Sequence, residues 1–528
     1  MYDVCIIGSG AGAGPIAYEL SKAGKKVVIL EKGEHYKRED FSKDEIAYTK
    51  RSVVSPNLKD EFHVIEEFTD GEWQSYTTTE ANWDFWNGNI VGGSSNFMSG
   101  FFHRLTKDDL QLKTKFGNIK GANIEDWPIA FDELEPFYDK VDGIVGVTTN
   151  TKEHPISKIF DKASSELGVT SSITPRAILS TPKKDREACY YSNYCGSYGC
   201  NSGAKGSSRE ALLNPALKTG NLTIITNAFV TKLKSKNGKV TQALYFDKLS
   251  KEKKQVKAKI FVLAAQAIES SRLLLNSSNK EYPDGLANSS NQVGKNFLFS
   301  GGGIISGEFD GSQEIPLNDL LVEGLFVNRA IKAWYQIDKK TKGGLVEALF
   351  EHANPIRKAN SLKWDSDDNL VWGEELYKKL DNKFNKTKQL NFEIFNDWLP
   401  HDDCFVSIDK FYTDKYGVPV AKIRIGSHPQ NEKVGDELAK RSIKILKQMG
   451  AKNINGSISP YPPQNLQAGG CRFGNNPKTS VLDKNCKAHD VKNLYVTDGS
   501  FMPTGGSVPY TYTIYANSFR VAEHLKTL

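Results

Sequence analysis

The sequence predicts an α/β fold, on three observations. The first 31 residues run apolar segment, glycine-rich turn, helical pattern, apolar segment and acidic residue, the order of a nucleotide-binding β-α-β unit. Between residues 404 and 425, apolar and polar residues alternate in two stretches around a turn, the period of strands with one buried face. The composition is 39% hydrophobic and 25% charged over 528 residues. That suits a chain with a large packed core and rules out fibrous and disordered classes. The length holds one large two-domain enzyme or about three to four smaller domains.

The opening unit reads in order. Residues 3–8 (Asp-Val-Cys-Ile-Ile-Gly) form the expected first strand. Gly8-Ser9-Gly10-Ala11-Gly12-Ala13-Gly14 follows, then Pro15 to Leu20 at helical spacing, then Lys26 to Leu30 as a second strand closed by Glu31. Gly8 permits the tight turn, Gly10 lets backbone approach a pyrophosphate, and beyond Gly12 the small Ala13 lets helix and strand pack closely. The helix N-terminus offers unpaired N–H groups and the positive end of a dipole to phosphate. Glu31 is placed to accept hydrogen bonds from ribose hydroxyls. This is a Rossmann-type dinucleotide site, and the turn alone does not separate FAD from NAD.

Lys and Arg number 69 and Asp and Glu 63, a net charge of +6. No long basic run with interleaved aromatics accompanies that small excess, so no nucleic-acid partner is expected. The longest apolar run, near Ile260 to Ile268, falls short of the ~20 residues of a membrane-spanning helix. No secretory signal precedes the first strand, so the expected compartment is the cytoplasm. Seven cysteines are too few for a disulfide scaffold. Cys5, Cys404, Cys471 and Cys486 are scattered, while Cys189, Cys195 and Cys200 crowd together.

Three further segments extend the reading: Asn89-Ile90-Val91-Gly92-Gly93-Ser94-Ser95-Asn96, the stretch from Phe261 to Arg272, and the stretch from Asn493 to Gly506, which leads into a helix from about Thr513 to Leu525. With the N-terminal turn, they resemble the glucose–methanol–choline (GMC) oxidoreductases, a family of FAD flavoproteins, over nearly the whole chain. The resemblance implies a discontinuous FAD-binding domain over 1–155, 205–300 and 462–528. It implies a cysteine-containing insertion over 156–204 and a second, α+β substrate domain over 301–461, whose antiparallel sheet covers the flavin. Gly92, Gly93, Ser95 and Asn96 would lie against the flavin, and Asp498 and Gly499 would hold its ribityl and pyrophosphate part. Val230, just after a strand over 222–226, would clasp the adenine. Within the second domain, Asn431 to Met449 reads as an amphipathic helix with Val434, Leu438, Ile445 and Met449 on one face. Residues 355–390 read as a solvated insertion.

Cys189, Cys195 and Cys200 are spaced C-x5-C-x4-C. Thiolates bind soft metals and iron–sulfur clusters, and three could hold a [3Fe–4S] cluster or a four-iron cluster with an outside ligand. Free thiols, one disulfide and zinc are the other readings. The segment resembles the iron–sulfur loop in flavoprotein subunits of bacterial membrane-associated sugar and sugar-acid dehydrogenases, such as gluconate 2-dehydrogenase and FAD-dependent glucose dehydrogenase. Ser192 stands where some of those have another cysteine. That branch implies electrons leaving through the cluster to a cytochrome c or quinone. It also implies a small exported subunit that would carry the protein to the periplasmic face of the inner membrane.

Oxidising an alcohol on a flavin needs a base for the hydroxyl proton. The family's histidine position holds Leu466, in Leu466-Gln467-Ala468-Gly469-Gly470-Cys471-Arg472, and the second position holds Pro509, before Tyr510. Neither side chain can accept a proton. Gln467, Tyr510 and Cys471 are the catalytic candidates left nearby: Gln467 flanks the lost histidine, Tyr510 can orient a hydroxyl, and an activated Cys471 thiolate could act as a base. Among the histidines, His103, just after the flavin loop, is the best placed. The expected activity is oxidation of a CH–OH group of a small sugar, sugar acid or related alcohol. The alternative is a flavoprotein that has lost alcohol oxidation and serves electron transfer, a structural role or another flavin reaction.

Overall fold

A computed structural model describes residues 1–46, 54–55, 57–196 and 198–528. Five strands form a parallel sheet in the order Leu494–Val496, Ala258–Leu263, Tyr2–Ile7, Val27–Leu30, Leu222–Ile225. In its inner strands, Val4 to Ile7, Val27 to Leu30 and Phe261 to Leu263 are apolar and buried on both faces, as helix-covered parallel strands must be, while the edge strand Leu222–Ile225 is partly exposed. Helix Gly14–Lys22 starts with Pro15 in its first turn, where the missing N–H costs nothing. It packs against helix Thr511–Lys526, with Tyr18 edge-on to Phe519. Strands from the start, middle and end of the chain thus meet in one layer.

A six-stranded sheet lies beside it, in the order Lys452–Ile458, Ser300–Phe309, Lys388–Asp397, Gly344–Phe350, Arg329–Ile331, Ser172–Ile173. Every pairing in it is antiparallel. Along Lys388–Asp397 the two faces separate by period. Leu390, Phe392 and Ile394 join a core with Val434, Leu438 and Ile445 of helix Pro429–Gln448 and Met449 just after it, the apolar stripe expected from sequence. Asn391, Glu393 and Phe395 project from the opposite face.

The expected hairpin forms from Cys404–Thr413 and Pro419–Ile425. Its second strand also pairs, in parallel, with Val64–Thr69, which is itself hairpinned to Glu72–Thr77. A hairpin from the N-terminal part therefore completes a sheet with a strand from the second part. That pairing joins Lys422 to Val64, 358 residues apart, and leaves no local trace in the sequence. Helices Pro355–Ser361 and Gly373–Asp381 carry no buried residue, but the expected solvated insertion over 355–390 runs too far: Lys388 to Leu390 open strand Lys388–Asp397, with Lys388 and Leu390 buried. Among the described residues, no helix is long and apolar enough to cross a membrane.

One buried cation ties the layers. Lys342 Nζ lies 2.5 Å from Asp109 Oδ1 and 2.5 Å from Asp397 Oδ2. Tyr335 donates its hydroxyl to Asp109 at 3.0 Å and accepts from the Ser507 backbone N–H at 3.3 Å.

Candidate active site

The glycine-rich turn is built by backbone proximity. Gly8 has φ +90°, and a Cβ there would lie 2.3 Å from the Ala264 carbonyl oxygen, so the turn needs a residue without one. A Cβ on Gly12 would lie 2.7 Å from both the Asp498 nitrogen and the Thr497 oxygen. Thr497 also donates its hydroxyl to the Gly12 carbonyl at 2.8 Å. Gly10 differs: nothing stands within 4 Å of where its Cβ would be, and it faces open cavity. Glu31 accepts from Ser9 Oγ at 2.5 Å and from Gly33 N–H at 2.8 Å, and burial raises its carboxyl above the usual range. Ser9 Oγ in turn accepts from Gly92 N–H at 2.9 Å, which docks the Gly92–Asn96 loop onto the turn.

These parts open on one cavity of about 950 Å³. Gly8, Gly10, Gly12 and Glu31 line it, as do Gly93, Ser95, Val230, Asp498 and Gly499. Ala13, Gly92 and Asn96 stand behind the lining. Ala13 is buried, and Asn96 spends its amide on the Val91 and Gly93 carbonyls at 3.0 and 2.9 Å, holding the loop's shape. Asp498 accepts from Ser270 Oγ, from Ser500 N–H at 2.9 Å and from Gln266 N–H at 3.2 Å, and burial raises its carboxyl. Pro509, Tyr510 and Thr511 bring the N-terminus of helix Thr511–Lys526 to the wall. Bare backbone at Gly10, a buried carboxylate beside the turn and helix N-termini fit an FAD.

At the other end of the cavity, the polar face of the antiparallel sheet meets Leu466, Gln467, Pro509 and Tyr510. The sequence candidates are committed elsewhere. Gln467 donates to the Phe85 and Gln464 carbonyls at 3.1 and 2.7 Å and accepts from Gln266 Nε2 at 2.5 Å. Tyr510 donates its hydroxyl to the Phe299 carbonyl, and burial pushes its phenol well up. Cys471 is a correction. It does not line the cavity; its N–H bonds the Ser500 carbonyl at 2.9 Å, which turns the side chain into the core. Burial pushes its thiol up to about 12, so it stays protonated and is no base. His103 is fully buried with Nε2 2.8 Å from Glu347, and it does not line the cavity. Glu393, which sequence reasoning did not single out, lines the cavity.

Residues 72–299 match the N-terminal family model described as GMC oxidoreductase, and 400–518 match its C-terminal counterpart. The chain is a GMC oxidoreductase. The family binds FAD, in keeping with the cradle. This oxidoreductase is 28% identical to 2-methyl-1,2-propanediol dehydrogenase of Mycolicibacterium austroafricanum, over 99% of its own chain and 95% of that protein. It is 26% identical to the fructose dehydrogenase large subunit of Gluconobacter japonicus, over 99% and 97%. Pyridoxine 4-oxidase from Mesorbium loti shares its fold with a TM-score of 0.63 at 16% identity, over 99% of each chain.

The cysteine loop of the oxidoreductase departs from the expected cluster. Cys189, Cys195 and Cys200 pack on one apolar patch with Ile178, Leu179 and Ala204, and none is in a disulfide. Lys205 Nζ organises the loop by donating to the carbonyls of Cys195 (2.7 Å), Tyr198 (3.0 Å) and Asn96 (3.0 Å). Burial pushes the Cys189 thiol up to about 12. At Cys200 burial also raises the thiol, but the Lys205 charge and the Ser202 hydrogen bond outweigh it and bring the thiol below its usual value. Among the described residues, no three His, Cys, Asp or Glu side chains gather as a metal would need. The three thiols share one apolar patch but are not gathered as an iron–sulfur cluster or zinc requires of its ligands. Iron and acid-labile sulfide analysis of the purified protein is expected to find no stoichiometric iron beside the FAD; three or four irons per chain would reinstate the cluster.

Proposed function

We propose that this GMC oxidoreductase is a dehydrogenase that takes two electrons from a CH–OH group of a small alcohol, sugar or sugar acid. FAD, when bound, supplies the hydride acceptor. The observation that carries the reading is the single cavity joining the glycine-rich turn to the polar face of the antiparallel sheet. It gives a cofactor and a small hydroxylated molecule room end to end. Gly8, Gly10 and Gly12 would receive the pyrophosphate, Glu31 the ribose, and Val230 the adenine. Gly93, Ser95, Asp498 and Gly499 would hold the rest of the cofactor, with Ala13, Gly92 and Asn96 shaping the cradle. The N-terminus of helix Thr511–Lys526 favours negative charge beside it. Gln467 and Tyr510 wall the substrate end, their polar atoms already paired.

Transfer to a respiratory acceptor such as a cytochrome c or quinone, through a small exported partner at the periplasmic face of the inner membrane, is the finer form of this reading. Its support is the likeness to a protein named as the large subunit of a dehydrogenase. No step runs through Cys189, Cys195 and Cys200. The second reading, a flavoprotein without alcohol oxidation, is favoured by Leu466 and Pro509 standing where the family's proton-handling side chains would be.

An anaerobic titration of the holoprotein with 2-methyl-1,2-propanediol, fructose, gluconate and simple alcohols separates the two. Bleaching of the flavin bands by at least one compound is expected, with an artificial electron acceptor restoring the colour faster than air. A flavin that stays oxidised with every compound yet bleaches with dithionite would favour the second reading.

A further inference from the structure

Among the described residues, five carboxylates line the cavity, and four are already partnered. Glu31 accepts from Ser9 and Gly33. Glu269 is paired with Arg272, His63 and Lys32 at 3.2, 3.2 and 3.8 Å. Asp498 is bonded to two serines and a backbone N–H. Glu351 is paired with Lys383 and Lys358 at 3.0 and 3.4 Å. The fifth, Glu393, makes no side-chain hydrogen bond or ion pair with any described residue.

Glu393 sits at the middle of strand Lys388–Asp397, opposite Ile304 on one neighbour and Glu347 on the other. Directly paired residues of an antiparallel sheet share a face, so Glu347 is its nearest charged neighbour. Glu347 is wholly buried and engaged by His103 and Thr174. Glu393 instead lines the cavity, as do Leu466, Pro509 and Tyr510. Gly302 pairs with Phe395, two residues beyond Glu393, and Tyr510 bonds the carbonyl of nearby Phe299. The sheet face carrying Glu393 and the segment with Pro509 are therefore joined through the short stretch from Phe299 to Gly302.

We infer that Glu393 takes the hydroxyl proton of the substrate, in place of the side chains absent at 466 and 509. The inference rests on the alcohol-oxidising reading above. In the step, the substrate O–H bond breaks and its proton moves to a Glu393 carboxylate oxygen. The C–H bond breaks with its electron pair, and the hydride goes to FAD. The carbon is oxidised to a carbonyl and the flavin is reduced by two electrons. The proton leaves to solvent from the emptied cavity after product departs.

The electrostatics agree with that task. Burial, then the like charge of Glu347, push the Glu393 carboxyl up to about 7, where a base is strong enough to accept a proton and still deprotonated in useful amount. The other charged groups at this end are Glu351, Arg357 and Lys358 on the segment after strand Gly344–Phe350. His352 lies there too, its ring packed on Gly196. Strand Ser300–Phe309 contributes Ser300, Ile304 and bare glycine backbone to the lining, with no charged group, and the loop before Leu466 contributes Tyr461.

The test is anaerobic stopped-flow reduction of the FAD-loaded protein by whichever compound bleaches the wild type. Glu393→Gln is expected to slow reduction by about 10²–10⁴-fold while keeping full FAD content and reduction by dithionite. Glu393→Asp, which keeps the carboxylate on a shorter stem, is expected to recover part of that rate. The wild-type rate is expected to fall with decreasing pH through about 7, as the carboxyl gains its proton, and the glutamine variant to lose that limb. A flavin-replete Glu393→Gln variant slowed by less than about tenfold, or one that keeps the limb, overturns the role of Glu393 and leaves the dehydrogenase reading standing. A wild type that no CH–OH compound reduces overturns both.

Discussion

Alanine at Gly10 is expected to cost the protein its flavin and little of its stability, whereas alanine at Gly12 costs both. The two glycines sit two residues apart in one turn but face different surroundings. A methyl group at Gly10 meets no protein atom within 4 Å. It projects into the cavity where a phosphate would approach the backbone, so it excludes ligand without straining the fold. A methyl group at Gly12 meets backbone atoms of Thr497 and Asp498 at 2.7–2.8 Å. Neither can rotate away, so the last strand of the sheet must shift. Overpacking of this kind costs ~1–3 kcal/mol, and more where backbone is the obstacle. The check is the ratio of flavin to protein absorbance in each purified variant, with the thermal midpoint of the flavin-free form. Gly10→Ala should show a flavin content at least about tenfold down and an unchanged midpoint. Gly12→Ala should show both values lowered.

Lys342→Met is expected to destabilise the protein by about 3–5 kcal/mol, the cost of stranding buried charge when one partner is removed. Lys342 is 6% exposed, between Asp109 at 0% and Asp397 at 10%. Burial alone would push its ammonium down, but the two carboxylates hold it above its ordinary value. The Asp397 carboxyl is already raised by burial even with Lys342 beside it. Without the lysine it rises further, so the folded variant binds a proton more tightly than the unfolded chain does. Stability gained that way is present at low pH and lost as pH rises. The variant should therefore unfold at lower denaturant concentration at pH 8 than at pH 6, which a pair of urea titrations would show. Equal midpoints at the two pH values would mean that the carboxylates find another partner.

The glycine-rich turn and its close backbone approaches were legible in the sequence, because small residues in a strand–turn–helix order have few other meanings. The hairpin over 404–425 and the helix stripe through Val434, Leu438 and Ile445 were legible for the same reason: their periods are local. Glu393 was not. Gln389, Asn391 and Glu393 alternate with Leu390, Phe392 and Ile394, so the sequence marks a polar face, yet nothing local distinguishes a face turned to solvent from one turned to a cavity. Cys471 misled for a related reason. Its nearness to Leu466 in sequence says nothing about which side of the turn its thiol takes, and that is decided by the bond to Ser500. The cysteine loop is a third case. Spacing alone cannot show that a lysine distant from the first thiol in sequence, Lys205, fixes the loop by its carbonyls.

The sheet that holds the glycine-rich turn draws its strands from residues 2–7 and 494–496, and Gly12 is bonded to Thr497, 485 residues away. At a synthesis rate of ~5–20 residues per second, a ribosome takes about half a minute to a minute and a half to bridge that interval. Throughout it, the N-terminal unit waits with its turn unsupported. The cradle cannot receive a flavin until residues 494–499 have left the exit tunnel, so cofactor loading in this protein waits on their synthesis. A nascent chain stalled before residue 494 would carry the nucleotide-binding signature and bind no nucleotide.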